Sequence, residues 1–297
     1  VVVTDFAGTV LIEQMYDFED GINAETALER IETAIEKLTY KLNISFVDVL
    51  GIGVGAPGVV DIREGMVILY ARIPGMDHFN IRRRLEERFH VPVQVHNTVS
   101  IAAWGVHHYA QKISGRSSVA ILIRSGVGGA YLSDGEIFVS RNKTALEIGH
   151  LTIDMHQTVQ NCANGSCVEQ FISEDAFLQR AVAACGEMSI DELVSRIEAG
   201  DQTVIDAIEP SVVVLTQLVR NVAHILDPEE FVIVSRFLPF SEFLAGEILS
   251  RLEGMAASSR IHLLRVVPYE YDPIVSGRSA AELLVRAFLK GDALPER

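Results

Sequence analysis

The chain is short of cysteine, of long apolar runs and of positive charge. Three cysteines in 297 residues make a disulfide framework improbable, and a chain of this length can bury a substantial core without one. No stretch of 18 consecutive apolar residues occurs, so no membrane span is expected. The opening residues, VVVTDFAGTV, lack the basic start and long apolar core of a signal peptide, and the chain reads as cytoplasmic. Lys and Arg number 25 against 40 Asp and Glu, a net charge of −15. Such a surface repels phosphate backbones, so direct DNA contact is assigned to a separate basic module absent from this sequence. The chain has no initiating Met and opens in what reads as a strand, like a piece of something longer.

What is present is an alternation of strand and helix patterns, which argues for an α/β architecture. Residues 1–12 read as a strand turning at Ala7-Gly8, and residues 24–42 place apolar side chains at helical spacing. VDVLGIGVGAPGVVDIREGMVI then reads as a buried strand, a Gly-rich loop and a return strand. Residues 80–89 form an amphipathic helix, VPVQVHN a strand, and TVSIAAWGVHHYA the helix after it. From residue 117, SSVAILIRSGVGGAYLSDGEIF reads as a meander with Gly-rich and Asp-Gly turns. Residues 174–226 are mostly helical, followed by strand EEFVIVS, helix SEFLAGEILSRLEGM, strand HLLRVVPY and helix SGRSAAELLVRAFL. The two halves share a rough pattern, so two lobes are expected: 1–100, and 101–282, with the helix over 283–297 packing back onto the first.

Several constellations could carry chemistry. His150, Cys162 and Cys167 fall in one 18-residue window, and imidazole and thiolate are the ligands zinc prefers. The alternative is a loop in which these types meet by chance. Cys185, on an apolar helical stretch, reads as a small buried hydrophobe. The segment Gly53-Val54-Gly55-Ala56-Pro57-Gly58 is either a tight strand-to-turn connection or a loop whose backbone approaches a ligand. Ser125-Gly126-Val127-Gly128-Gly129 is either a sterically required hairpin turn or a cradle of amides for phosphate.

Taken in order, these segments resemble the ROK family (repressor, open reading frame, kinase) along essentially the whole chain. That family carries a Gly-His pair followed by a C-x-C-G-x-x-G-C-x-E run that holds zinc. Gly149-His150 matches the pair, Cys162 and Cys167 match the second and third cysteines, and Glu169 matches the final Glu. Gln160 stands where the first Cys should be, and Ala163 and Ser166 replace the two glycines. Three outcomes follow for the metal. It is held by His150, Cys162, Cys167 and a water or a substitute such as His156; or it is held weakly; or the loop is metal-free. Retained zinc is slightly favoured.

The resemblance also implies that Gly58, Asn97, Glu147, His150 and Glu169 face a sugar. Carboxylates accept hydrogen bonds from paired hydroxyls, and an imidazole tied to a metal presents its other nitrogen as a donor. The family's kinases carry Asn-Asp where this chain has Asn97-Thr98, and their Asp is the base that deprotonates the attacking hydroxyl. A threonine hydroxyl has no useful basicity near neutral pH. The kinases' adenosine-binding Gly-Gly pair is replaced by Ser235-Arg236-Phe237, whose side chains would obstruct a nucleotide. Asp5-Phe6-Ala7-Gly8-Thr9 looks like the kinases' first phosphate loop, but the helix follows too soon. It matches the next turn of the family, with no catalytic role.

The resemblance therefore implies a two-lobed, actin-like (ribonuclease H-like) α/β fold with a sugar cleft between the lobes. The function it implies is the sugar-responsive effector domain of a transcriptional regulator, kinase-dead and homodimeric. Zinc is a candidate cofactor and ATP is not expected. DNA is reached only through an N-terminal winged helix-turn-helix outside this sequence. The competing readings are an ATP-dependent hexose or N-acetylhexosamine kinase using Asp61 or Asp77 as an unusual base, and a scaffold that binds no small molecule.

Overall fold

The computed structural model of the chain describes residues 1–19, 21–109, 115–140, 145–152, 167–253 and 264–291. In chain order the strands and helices begin with β1 (Val2–Thr4), β2 (Val10–Glu13), α1 (Ala24–Lys41) and β3 (Ile52–Ala56). There follow β4 (Val59–Asp61), β5 (Met66–Leu69), β6 (Phe79–Asn80), α2 (Ile81–Phe89), β7 (Val93–Asn97) and α3 (Thr98–Tyr109). Next come β8 (Ser117–Ile123), β9 (Val127–Ser133), β10 (Glu136–Ile137), α4 (Glu169–Ile172), α5 (Glu174–Cys185), α6 (Ile190–Glu198) and α7 (Gln202–Leu226). The last are β11 (Glu230–Ser235), α8 (Leu238–Glu253), β12 (Arg265–Glu270) and α9 (Pro273–Lys290).

The chain divides into two compact units. The first comprises Val1–Gly105, Val139–Ala145 and Asp272–Arg297; the second comprises Val106–Phe138 and Leu146–Tyr271.

Helix boundaries in the first unit follow from local chemistry. Asn23 caps α1 by accepting from the Thr26 N–H at 2.9 Å, and Asn80 caps α2 by accepting from Arg83 N–H at 2.8 Å. Each satisfies an amide that has no intrahelical partner. α9 starts three residues before the sequence pattern suggests, because Asp272 accepts from Ile274 and Val275 N–H and Pro273 occupies its first turn. A proline there gives up an amide that had no helical partner anyway. β3 pairs in parallel with β7, while β4, β5 and β6 form an antiparallel three-stranded sheet and β1 with β2 a hairpin. Leu28, Leu38, Val60, Val67, Leu85, Val93 and Val95 are all buried in this unit.

The second unit is built on a five-stranded sheet in the order β10-β9-β8-β11-β12. β8, β11 and β12 run parallel and β9 returns antiparallel to β8. Parallel strands covered on both faces read as continuous apolar runs, as FVIV at Phe231–Val234 does, each residue at most 1% exposed. Phe177 of α5 meets Phe240 of α8 edge to face at 5.1 Å, the geometry ring quadrupoles prefer. By length and composition α7 could cross a membrane, yet Val204, Ile208, Leu215, Leu218 and Val219 lie within this unit's core.

Two glycines test the packing in opposite directions. A Cβ at Gly53 would overlap the Ala280 carbonyl of α9, which is backbone and cannot turn aside. Gly246 lies in α8, and a methyl group there would have nothing within 4 Å of it. Gly53→Ala should therefore cost roughly 2–4 kcal/mol, and Gly246→Ala should stabilise by about 0.5–1 kcal/mol. Urea unfolding midpoints of the two variants against wild type check both signs.

Candidate functional site

The end of β7 turns directly into α3, and Asn97 stands at that junction, 9% exposed. Its Oδ1 accepts from Val99 N–H at 2.8 Å, capping the helix, and its Nδ2 donates to the Gly58 carbonyl at 2.5 Å. The sequence assigns Gly58 and Asn97 to a sugar separately; the structure joins them by a hydrogen bond. Gly58 holds φ of +75°, and a side chain there would overlap the Leu69 carbonyl, so this acceptor is fixed by a position only glycine fills. A primary amide has two donor hydrogens and two acceptor lone pairs. Asn97 spends one of each on the fold.

Thr98 is the first residue of α3, so the residue after Asn97 carries a hydroxyl and no carboxylate. The two carboxylates named as alternative bases each accept backbone hydrogen bonds. Asp61 Oδ1 accepts from Arg63 and Glu64 N–H at 2.9 and 3.0 Å, and Asp77 Oδ1 accepts from Tyr70 N–H at 2.7 Å. His96 precedes Asn97. Burial, reinforced by the Arg82 charge, pushes its imidazole down to about 4. Its Nδ1 has no partner and is closed to solvent. It is neutral at physiological pH, because charging it there would cost solvation that nothing replaces.

In the second unit the β8–β9 turn and the segment around Gly149 pack together. Leu146 bridges to Gly129, the Gly149 backbone lies against the Val127 carbonyl, and Ile148 fills the space a side chain at Gly129 would need. This seats Glu147 and His150 beside the turn, with Glu147 Oε2 3.9 Å from His150 Nε2. Glu169, first residue of α4, accepts from the Val127 N–H at 2.9 Å through Oε2. Gly128 and Gly129 sit in the β8–β9 ladder opposite Leu122 and Ile121, so these two glycines serve strand pairing. Of the phosphate-like run only Ser125 and Gly126 form the turn itself.

Cys167 is 3% exposed and forms an isolated bridge with Thr152, two residues after His150. It is disulfide-bonded in this structure, whereas the cysteine count predicts reduced thiols. Gln160, Cys162 and the alternative ligand His156 lie outside the described residues. Among the described residues no group of three or more His, Cys, Asp or Glu could hold a metal. A disulfide sulfur is not a thiolate ligand, so the donor set fits zinc only when Cys167 is reduced.

The ends of the parallel strands hold residues whose importance sequence reasoning only partly reaches. Arg236, just after β11, grips Glu174 with Nε at 3.1 and 3.0 Å from the two carboxylate oxygens and Nη2 at 2.7 Å. Glu174 is only 5% exposed, and the Arg236 guanidinium lies 5.4 Å from the Phe237 ring centre. The bulk of Arg236 and Phe237 is legible in the sequence. The partner carboxylate, 62 residues away in sequence, is not. Arg124, between β8 and the turn, escapes the sequence reading altogether; its one signal is a charge ending an otherwise apolar run.

Burial raises the Glu147 carboxyl above the usual range; His150 opposes this and the Glu169 charge adds to it. A carboxyl that is harder to ionise in the fold than in the unfolded chain stabilises below its ordinary pKa and loses that contribution as pH rises through the raised value. Glu147→Gln should therefore gain stability relative to wild type between pH 4 and pH 8. Urea midpoints at the two pH values measure this, and a constant difference would show that Glu147 is not shifted.

The sequence profile of the ROK family matches residues 1–268. The xylose repressor of Bacillus spizizenii is 21% identical over 282 residues, covering 95% of this chain and 71% of the repressor. Among solved structures, a ROK family transcriptional regulator homologous to the E. coli MLC protein superposes with a TM-score of 0.81 at 22% identity, over 98% of this chain and 75% of that one. The ROK family glucokinase from Streptomyces griseus, solved with glucose and AMPPNP, gives 0.78 at 20% identity, over 95% of this chain and 94% of the enzyme. At these identities the structural likenesses establish the fold. With the profile running from the first residue through nearly all of β12, this chain belongs to the ROK family and has its actin-like α/β fold.

Proposed function

We propose that the chain is the sugar-responsive effector domain of a ROK transcriptional regulator and has no kinase activity. The observation that carries this reading is the pair of residues at the β7–α3 junction: Asn97 is held by two hydrogen bonds, and Thr98 follows it without a carboxylate. General-base catalysis needs a group whose pKa lies near the working pH. Asp61 and Asp77 each accept backbone hydrogen bonds. The Arg236–Glu174 pair supports the same reading, because guanidinium and phenyl side chains occupy the end of β11 where the family's kinases have bare backbone.

The groups assigned to the sugar are Gly58, Asn97, Glu147, His150 and Glu169. The effector would act through its unequal affinity for DNA-competent and incompetent states of a homodimer. DNA would be bound by a winged helix-turn-helix outside this sequence, since a domain of net charge −15 does not attract a phosphate backbone. Zinc on His150 and the reduced thiolates of Cys162 and Cys167 would fix the imidazole's second nitrogen toward the sugar.

A coupled assay with ATP and glucose, N-acetylglucosamine, xylose or allose should show no turnover above background. Thr98→Asp alone should not create turnover, because the nucleotide side remains filled. Calorimetry should detect one of these sugars, with Glu147→Gln and Glu169→Gln each weakening it about tenfold. Turnover abolished by Asn97→Ala would instead establish the sugar kinase. Silence across the sugar panel would favour a protein-binding scaffold.

A further inference from the structure

The parallel strands β8, β11 and β12 end side by side, and three residues stand in a row just past them. Leu122 pairs with Val234 and Ser235 pairs with Glu270, which puts Arg124, Arg236 and Tyr271 at equivalent positions one step beyond. The carboxyl ends of parallel strands are where α/β sheets gather ligands. The two arginines there are in different electrostatic states. Arg236 is neutralised by the buried Glu174 through a two-pronged contact. Arg124 reaches over the end of β11 and lies with its guanidinium carbon 4.7 Å from the centre of the Tyr271 ring. No acceptor meets the Arg124 guanidinium among the described residues. Its backbone is meanwhile pinned at both ends, the N–H to Gly126 O and the carbonyl to Glu174 N–H, each at 2.9 Å.

A guanidinium held over a ring has its π face occupied and its edge N–H groups directed outward as a planar fork. That fork matches a phosphate or carboxylate bidentately. In a chain with 40 acidic and 25 basic residues, a cation stacked on a ring and without a carboxylate partner among the described residues is poised for an anion from outside. It sits in the same short turn as Val127, whose amide holds Glu169. The Glu169 charge excludes an anion from that amide and leaves Arg124 as the place where one can bind.

We propose that Arg124, backed by Tyr271, is an anion subsite adjoining Glu147, His150 and Glu169, so that the effector is an anionic polyol such as a sugar phosphate or a sugar acid. This rests on the sugar-effector reading above and narrows its ligand class. The experiment is calorimetry on the chain with glucose, glucose 1-phosphate, glucose 6-phosphate, glucuronate and inorganic phosphate, each against wild type, Arg124→Gln and Arg124→Lys. At least one anionic sugar should bind ten times or more tighter than glucose. Arg124→Gln should erase that advantage while changing glucose affinity less than twofold, and Arg124→Lys, with the charge but not the fork, should fall between. Which anion gains most separates phosphate from carboxylate. Equal binding of neutral and anionic sugars by wild type, or an advantage that survives Arg124→Gln, overturns the subsite and leaves the sugar reading standing. Inorganic phosphate bound in an Arg124-dependent way without any sugar binding overturns the sugar reading and keeps the anion subsite. No binding of any probe overturns both.

Discussion

The hydrogen bond from the Val127 N–H to the Glu169 carboxylate joins the β8–β9 turn to the start of α4, and the candidate site of the second unit is arranged around it. It fixes one carboxylate oxygen of Glu169. It places a negative charge beside Glu147, which with burial keeps that second carboxyl reluctant to ionise. It also claims an amide that a phosphate-binding turn would otherwise offer. A charge-assisted bond of this kind is among the stronger hydrogen bonds a protein makes. The turn is therefore committed to a carboxylate, and the remaining cationic character sits at Arg124.

In the first unit the same logic applies to an uncharged group. Asn97 serves helix α3 and the Gly58 carbonyl before it serves any ligand. Half of its hydrogen-bonding capacity is structural, which orients the other half without further cost in side-chain entropy. Thr98 follows Asn97 with a hydroxyl and no carboxylate. At the end of β11 the half-exposed Arg236 covers the buried Glu174 carboxylate, and removing the arginine would leave that buried charge unpaired.

Much of this is legible in the sequence because it is local. The helical spacing over 24–42 and 80–89, the strand VPVQVHN and the apolar EEFVIVS each fix their element within a few residues, and the structure has them as α1, α2, β7 and β11. The identity of Thr98 and the bulk of Arg236 and Phe237 can likewise be read one position at a time. What cannot be read are contacts that chain separation hides. The Asn97–Gly58 bond spans 39 residues, the Glu169–Val127 bond 42 and the Arg236–Glu174 pair 62. Only the sheet order, which sets β11 between β8 and β12, brings Arg124 and Tyr271 together. The glycines after Ser125 illustrate the ambiguity of composition: a run that resembles a phosphate cradle is used mainly to let β9 pair with β8 and accommodate Ile148.

In the effector-domain reading proposed above, Asn97 orients a polyol with no base at Thr98, and Arg236 and Phe237 leave no berth for a nucleotide at the end of β11. Titrating the chain with a non-hydrolysable ATP analogue, in the presence and absence of a saturating sugar, tests it most directly. No binding at millimolar analogue is expected in either condition. Micromolar affinity, especially if Arg236→Ala or Phe237→Ala left it unchanged, would contradict it.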